Sequence, residues 1–215
     1  MFPLGIAIWS HFSGRQKVNA VQWACGLELL LLIQSPWQVF LSTDHPNGGC
    51  FWRYPEIIKL LMSRDFRDEC IKKLPSNIKN KIVLPEIARE YTLMDVATSM
   101  SAGPARALGL KQKGNLGTGC DGDVVIYDQE DDPGEMFAHP RYVIKAGEVI
   151  IDDGEIREAP DGREYIAKPF YDPATNDFMR PLFEDCYTMQ FENYPVEIER
   201  VHGASIHDCN TDQDS

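Results

Sequence analysis

The amino-acid sequence predicts an α/β fold, and two observations carry this prediction. Residues 18 to 64 show apolar patterns typical of helices on either side of one short run typical of a buried strand. From Gly114 onward, glycines are frequent and the apolar residues come in short β-branched runs, which predicts strands joined by tight turns. Because 43% of the 215 residues are apolar, we expect both parts to fold around a core.

The first predicted helix covers residues 18 to 33, VNAVQWACGLELLLLI. Apolar residues recur there at spacings of three and four, the period of an amphipathic helix. The stripe that we expect to face the core consists of Val18, Val21, Ala24, Cys25, Leu29 and Leu32. Gln34-Ser35-Pro36 then ends the helix.

The segment WQVFLST, residues 37 to 43, is predicted to be a short buried strand because its β-favouring residues leave no polar face. A turn at residues 47 to 49, Asn-Gly-Gly, separates it from the segment YPEIIKLLMSR. Pro55 suits the first turn of a helix there. The predicted order is helix, strand, polar turn, helix.

Residues 64 to 90 are charged and contain two prolines, so we expect a solvated surface excursion with one short helix. Thr92 and Asp95 have the spacing of a capping box and predict a helix over TLMDVATSM, and Pro104 opens a second short helix.

Further on, VIKAGEVIIDDGEI predicts a strand, a Gly turn and a second strand. The polar, acidic end HDCNTDQDS is typical of a disordered tail.

Composition and charge exclude several classes of function. The formal net charge of −12 repels nucleic acid and anionic membrane surfaces. The 6 cysteines lie far apart without a C-x-x-C pair, as in reduced cytosolic proteins. The start MFPLGIAIWS lacks a basic n-region and a cleavage site, and the apolar run from Leu27 to Ile33 is too short to span a bilayer. We therefore expect a soluble, cytoplasmic protein that binds neither nucleic acid nor membranes.

Asp44 and His45 directly follow the predicted strand, where ligands bind in open α/β sheets and in barrels. Asp44 could bind a metal through one carboxylate oxygen and exchange a proton through the other. The alternative is that Asp44 only makes an Asx turn and that His45 is a satisfied, half-buried side chain. On composition alone, the turn is favoured over catalysis.

Other candidate residues carry weaker signals. The histidines are scattered, without an H-x-H or H-E-x-x-H pair that could seed a zinc site. Cys50 has only His45 nearby as a base, so a small structural cysteine is the simpler interpretation. Arg53 follows the turn and could pair with a substrate carboxylate, although a solvated surface arginine is an equal alternative.

Two groups of segments resemble a known family. ALGLKQKGNLGTGCDGDVVIYD, with FAHPRYVIKAGEVIIDDGEI after it, is similar to the closing section of the amidohydrolase superfamily, where the chain leaves a metal-dependent barrel and returns to a small β-sandwich. VNAVQWACGLELLLL, WQVFLSTDHPNGG, RYPEIIKLLMSR and REYTL resemble the A-type subunit of formylmethanofuran dehydrogenase and its counterpart in the formyltransferase/hydrolase complex of methylotrophs. The match runs from about Val18 to about Val196.

The resemblance implies a binuclear zinc centre held by histidines, a carboxylated lysine and one aspartate at the end of the eighth strand. In this sequence that aspartate is Asp44, which would ligate one zinc and shuttle a proton to the amine nitrogen. His45 and Asn47 would then face the substrate or support the ligands.

The resemblance also implies a reaction and partners. Formate, made at a molybdenum or tungsten pterin in partner subunits that also carry iron–sulfur clusters, condenses with methanofuran, or the formamide is hydrolysed in reverse. The chain would then work with the other formylmethanofuran dehydrogenase subunits in methanogenesis or one-carbon metabolism.

Several family features have no counterpart in this sequence. The family's H-x-H, its carboxylated lysine and its later histidines belong upstream, and Cys50 stands where the family has proline. A complete barrel takes about 250 residues. We therefore interpret residues 1–112 as the C-terminal remnant of a (β/α)8 amidohydrolase barrel, 113–200 as a small β-sandwich domain, and 201–215 as a disordered acidic tail.

Two expectations follow for the isolated chain. It should lack a complete zinc site and activity, and the alternative function is a non-catalytic docking module for other subunits. A lone barrel remnant should also expose apolar helix faces such as Leu27, Leu30 and Leu31, and so should aggregate or oligomerise.

Overall fold

The computed structural model describes residues 4–7, 17–47, 49–162, 164–168, 171–193 and 205–208. The chain divides into two compact units. The first consists of Met1–Ala107 with Lys111–Pro160, and the second of Leu108–Leu110 with Asp161–Ser215. Helices and strands occur together, which confirms the α/β prediction in its coarse form. The barrel remnant, the β-sandwich and the predicted domain boundaries stay predictions.

The first unit contains most of the regular structure. Its helices are α1 (Lys17–Leu32), α2 (Tyr54–Met62), α3 (Arg64–Lys72), α4 (Ser76–Lys79), α5 (Leu93–Ala97), α6 (Gly103–Ala107) and α7 (Pro133–Ala138). Its strands are β1 (Leu4–Ala7), β2 (Val39–Ser42), β3 (Val124–Tyr127), β4 (Pro140–Lys145), β5 (Glu148–Asp152) and β6 (Glu155–Ile156).

The predicted strand WQVFLST is confirmed as β2 over Val39–Ser42, whereas Trp37 and Gln38 belong to the 3-10 helix Pro36–Gln38. Strand β2 has a parallel partner that the sequence did not predict. β1 pairs with β2 so that Leu4 lies opposite Val39 and Ala7 opposite Ser42. Helix α1 connects these two strands, which makes a β-α-β unit. The apolar start of the sequence therefore supplies a strand, and β2 is supported on one edge.

The predicted core stripe of α1 is confirmed at Ala24 but wrong at the other described positions, because the helix buries mainly a different side. Its buried apolar residues are Ala20, Trp23, Ala24, Leu27, Leu30 and Leu31, whereas Val21, Cys25, Leu29 and Leu32 are exposed. Leu27, Leu30 and Leu31 are at most 1% exposed, so the expectation that they face solvent is also wrong. The helix is apolar around most of its circumference, so a spacing of three and four fits more than one stripe. The side chain of Val18 lies outside the described residues.

Residues 64–90 are not a solvated excursion. Apolar side chains from α3, α4, the 3-10 helix Leu84–Glu86 and the residues next to these helices are buried in the same core as α1 and α2: Ile71, Leu74, Ile78, Leu84 and Ile87. The charged residues of this segment alternate with these apolar ones, so composition alone suggested a surface. The apolar side chains of the segment instead pack on one side of the core, which we call its wall.

Arg67 on α3 is fully buried and holds this wall in place. Its Nη1 donates to the Leu60 carbonyl at 2.8 Å, and its Nη2 donates to the carbonyls of Ile87 at 3.2 Å and Arg89 at 3.0 Å. Burial lowers the pKa of the Arg67 guanidinium. The side chain joins the end of α2 to the segment before α5, so a charged residue serves here as a core crosslink.

The carboxyl end of α1 is capped by side chains from the same segment. Arg89 Nη1 donates to the carbonyls of Leu31 at 3.3 Å and Ile33 at 2.5 Å, and the Tyr91 hydroxyl donates to the Leu30 carbonyl at 2.8 Å. Burial raises the pKa of Tyr91 to about 12. A cation at a helix C-terminus also suits the helix dipole. These bonds fix where α1 ends and β2 can begin.

The predicted capping box is confirmed. The Thr92 side chain accepts from the Asp95 N–H, and Asp95 Oδ2 accepts from the Thr92 N–H at 2.8 Å. The chain continues through a π-helical turn, Thr98–Ala102, into α6. At Gly103 a Cβ would lie 2.6 Å from Phe40 Cε1 and 2.8 Å from the Thr98 carbonyl oxygen. Glycine therefore allows α6 to approach β2 closely.

Strands β3 to β6 form one antiparallel sheet in sequence order, as the strand–turn–strand pattern predicted. Ala146-Gly147 and Asp153-Gly154, at the two hairpin turns, all have positive φ angles. Asp123, just before β3, accepts hydrogen bonds from Lys113 Nζ at 2.7 Å, Lys145 Nζ at 2.8 Å and the Ala146 N–H at 2.9 Å. One carboxylate thus ties the approach loop to the β4–β5 turn.

In the second unit, strand β7 (Tyr165–Lys168) pairs in parallel with strand β8 (Ser205–Asp208), and helix α8 (Thr175–Cys186) lies between them in the chain. Part of the predicted tail is therefore a strand. The rest of that predicted tail, residues 201–204 and 209–215, lies outside the described residues.

Within the part of the chain that the structure describes, no helix is both long enough and apolar enough to span a bilayer.

Candidate active site

The candidate site lies where β2 ends. The strand stops at Ser42, Thr43 is 2% exposed, and Asp44 is the first exposed residue beyond it. Because β1 and β2 run parallel, their carboxyl ends point to the same edge. Functional groups of α/β folds collect at that edge, so Asp44 has the position predicted for it.

Asp44 has a left-handed backbone, with φ of 51°, a conformation that aspartate tolerates better than most residues. Its N–H donates to Ser42 Oγ at 3.2 Å. Among the described residues, no donor or cation pairs with the Asp44 carboxylate. The turn is thus stabilised through the backbone, and both carboxylate oxygens stay available to a ligand.

His45, Pro46 and Asn47 form the exposed turn after Asp44, and Gly48 lies outside the described residues. The His45 ring is not half-buried, as one interpretation of the sequence had it, but packs edge-on against the Phe51 ring, with centroids 5.0 Å apart. Asn47 is exposed on the same turn. His45 and Asn47 therefore lie on the exposed turn that directly follows Asp44.

Arg53, at the start of α2, forms an ion pair with Glu56. Its Nη1 donates to Glu56 Oε2 at 2.6 Å, and both side chains are partly exposed. Only one of the five guanidinium N–H groups makes this bond. Cys50 precedes Arg53 as the N-cap of the 3-10 helix Phe51–Arg53, and its thiol forms no disulfide.

A zinc centre needs several ligands, usually four, and the described residues do not supply them. No group of three or more His, Cys, Asp or Glu side chains capable of holding a metal occurs in the described ranges. His11 and His202 lie outside those ranges, and only the backbone of His207 is described. These residues alone therefore do not fit a binuclear zinc centre, and Asp44 offers one carboxylate ligand toward it.

Two aromatic residues at this site were not predicted from the sequence. Phe51 is 58% exposed and Trp52 is 63% exposed, and their ring centroids lie 5.5 Å apart. The signal that could have found them is the adjacent pair of aromatic residues directly after a Gly-Gly turn that follows a strand. Together the two side chains form a small exposed apolar patch, the kind of surface that can contact a ligand or a partner.

The sequence matches one family of known proteins over most of its length. The model of a family described as "Amidohydrolase family" matches residues 7–151, which include β2, the candidate site and strands β3 and β4.

Two curated relatives were found. The Fhc A-type subunit of the formyltransferase/hydrolase complex of Methylorubrum extorquens is 44% identical, over 66% of this chain and 26% of the relative. "Protein FwdA" of Methanocaldococcus jannaschii is 36% identical, over 87% of this chain and 35% of the relative. The chain therefore spans about a quarter to about a third of the length of these relatives.

A solved structure resembles the fold as well. It is the formyltransferase/hydrolase complex (FhcABCD) of Methylorubrum extorquens in complex with methylofuran, with a TM-score of 0.73 and 33% identity over 92% of this chain and 37% of the matched chain. The family match includes the strand end that carries Asp44. The chain belongs to the amidohydrolase family.

Proposed function

We propose that this chain supplies Asp44 to an active site that forms or hydrolyses an N-formyl bond of a furan-bearing amine, as part of an A-type subunit of formylmethanofuran dehydrogenase. Three observations support this proposal: the amidohydrolase family membership, the two relatives from complexes of this kind, and the likeness to a complex solved with methylofuran.

The single observation that carries the proposal is the state of Asp44. Its carboxylate is exposed at the carboxyl end of β2, and the described residues leave both oxygens without a partner. Structural aspartates at turns normally spend their side chains on nearby backbone N–H groups. Here the contact at Asp44 is made by its own N–H, which donates to Ser42 Oγ, and its carboxylate has no partner among the described residues and so can serve a ligand or a proton.

Hydrolysis of a formamide requires one proton to move. Water adds to the formyl carbon, the C–N bond breaks, and the leaving amine nitrogen must gain a proton. We assign this transfer to Asp44: one carboxylate oxygen accepts the proton from the attacking water and then donates it to the nitrogen. In the direction of synthesis, the same oxygen accepts the proton from the amine.

The proposed site also uses zinc, with Asp44 as one ligand of a binuclear centre. The other ligands would come from outside the described residues. When bound, zinc supplies Lewis acidity toward the formyl carbonyl.

We propose substrate contacts for the neighbouring polar residues. His45 and Asn47 lie on the same exposed turn as Asp44, and Arg53 follows at the start of α2. The guanidinium of Arg53 keeps further donors besides the one that binds Glu56, so it can also hold a substrate carboxylate.

We further propose that the chain works with other subunits, in which a molybdenum or tungsten pterin and iron–sulfur clusters supply formate. The alternative function is a non-catalytic docking module for such subunits. One observation favours this alternative: the described residues do not assemble a metal centre by themselves.

Metal analysis and an activity assay separate the two functions. The purified chain would be combined with a polypeptide that carries the upstream part of the FwdA relative, and zinc content and deformylation of N-formylfurfurylamine would be measured. The enzyme proposal predicts two zinc ions and a loss of at least about 100-fold in rate for Asp44→Asn.

Asp153→Asn is a matched control. Asp153 is also exposed in a turn with φ of 51°, but it lies in the β5–β6 turn, away from the strand end that carries Asp44 along the chain. We expect this variant to keep the activity of the unchanged protein. Full activity in Asp44→Asn, or no zinc in the combined protein, would overturn the enzyme proposal and leave the docking module.

A further inference from the structure

Three aromatic rings cluster beside the strand-end carboxylate, and the proposed chemistry of Asp44 does not use them. His45, Phe51 and Trp52 form this cluster, which we call the aromatic platform. The His45 centroid lies 5.0 Å from that of Phe51 and 6.3 Å from that of Trp52, and all three pairs meet edge to face. Since His45 directly follows Asp44, the platform adjoins the carboxylate through one peptide bond.

The platform does not serve the core. Phe51 and Trp52 are more than half exposed, whereas Trp23 on α1 is 4% exposed and packs in the core. Exposing two large aromatic side chains forfeits the free energy that their burial would release, on the order of 2 kcal/mol each. The feature that points to a ligand is that the three rings contact one another directly after the strand end that carries Asp44.

The negative charge next to the platform favours a cationic ligand. Asp44 carries an unpartnered carboxylate, and the chain has a net charge of −12, so a cationic amine is attracted to this edge. An aromatic ring attached to that amine through a short linker would reach the platform while the nitrogen lies at Asp44. The matched complex was solved with methylofuran, whose name denotes a furan.

We propose that the aromatic platform binds the furan ring of the amine substrate and so positions its nitrogen at Asp44. This inference rests on the proposed function, and it names Phe51 and Trp52 as substrate-binding residues.

A protein partner is the other occupant of an exposed aromatic surface. Three side chains of this size offer about 450–750 Å², which is close to the roughly 600 Å² that one partner contributes to the smallest specific interfaces, so area alone does not decide between the two occupants. The unpartnered carboxylate of Asp44 next to the platform favours the cationic amine.

Binding of small probes to the full chain tests the platform without metal and without activity. Furfurylamine would be compared with tetrahydrofurfurylamine, its saturated analogue, by isothermal calorimetry. The two amines carry the same charge and differ in the π system. We expect furfurylamine to bind roughly three- to tenfold more tightly, the range that one or two aromatic contacts give.

The variants Phe51→Leu and Trp52→Leu should reduce that ratio toward one. Trp37→Leu is the matched control, since Trp37 is also exposed, at 45%, but lies against Arg106 with 5.6 Å between the guanidinium carbon and the ring centroid. It should keep the full ratio. Because all three side chains are exposed, these substitutions leave the core intact.

Asp44→Asn separates this proposal from the proposed function. It should weaken both amines equally and leave their ratio unchanged. Equal binding of both amines by the unchanged chain, or an unchanged ratio in Trp52→Leu and Phe51→Leu, would overturn the platform even if Asp44 proves catalytic. A change of oligomeric state in Trp52→Leu without any ring preference would likewise overturn it, in favour of a protein interface.

Discussion

Lys59 Nζ lies 2.5 Å from Asp132 Oδ2 and so joins α2, the helix that follows the candidate site, to the start of α7. The other oxygen of Asp132 accepts the Gly134 N–H at 2.7 Å and caps α7. The hydrogen bond from Lys59 holds the pKa of the Asp132 carboxyl below its usual range. One carboxylate therefore makes two contacts that can be tested separately.

Two substitutions at Asp132 separate these contacts. Asp132→Asn keeps an oxygen that can cap α7 but loses the ion pair, which is partly exposed, so the free energy of unfolding should fall by only about 0.5 kcal/mol. Asp132→Ala loses the cap as well and should cost about 1 kcal/mol more. Urea unfolding of both variants measures the difference. Equal losses would show that the cap contributes nothing.

The stability of the first unit should depend on pH through Asp123. Burial alone would raise the pKa of this carboxyl, but the hydrogen bonds from Lys113, Lys145 and the Ala146 N–H outweigh it and hold the pKa well below its usual range. The folded pKa is thus lower than the unfolded one. The stabilisation is fully present above the unfolded pKa of about 4 and is lost as the pH falls through the folded pKa.

Asp123→Asn checks this sign. At pH 7 the variant should unfold with a free energy about 2 kcal/mol lower, because the charged partners lose their acceptor. Below pH 4 the difference should shrink, since the unchanged protein loses the same interaction. Glu155→Gln is a control, because Glu155 is exposed and makes a single ion pair with Arg157. A gap between Asp123→Asn and the unchanged protein that stays constant from pH 7 to pH 3 would contradict the assignment.

Gly103 should resist replacement although it lies in a helix. Alanine normally stabilises a helix relative to glycine by about 1 kcal/mol. Here the added Cβ would meet Phe40 on β2 and the Thr98 carbonyl oxygen, so we expect Gly103→Ala to destabilise the protein by about 1–3 kcal/mol.

Gly162→Ala is the matched control, because nothing lies within 4 Å of the Cβ it would add. Thermal and urea unfolding of the two variants can be compared directly. If Gly103→Ala proves as stable as Gly162→Ala, α6 does not press on β2 as closely as the geometry indicates.

The local elements were predictable from the sequence because their signals are local. The capping box at Thr92 and Asp95 and the glycine turn after Lys145 each depend on neighbouring residues, and both are present. The buried side of α1 was not predictable in this way. That choice depends on which elements pack against the helix, and the charged segment 64–90 turned out to provide several of them.

Arg67 shows the same limit in one residue. An arginine in a charged segment suggests solvent, yet this guanidinium is buried, and Nη1 and Nη2 donate to three backbone carbonyls. Its Nε has no hydrogen-bond partner among the described residues. The residues of the candidate site also differ in whether local sequence predicts them. Asp44 could be found from its place after an apolar run, whereas the aromatic platform needs the turn to fold His45 back onto Phe51.

The hydrogen bonds of Arg89 have a consequence for genetic experiments. This side chain holds the end of α1, from which the chain passes into β2 and on to Asp44, although it lies 45 positions further along the sequence than that aspartate. A random-mutagenesis screen scored only on the proposed formyl hydrolysis would collect changes at Arg89 together with changes at Asp44. A folding assay run in parallel would separate the two groups, and the first would be recognised as scaffold defects.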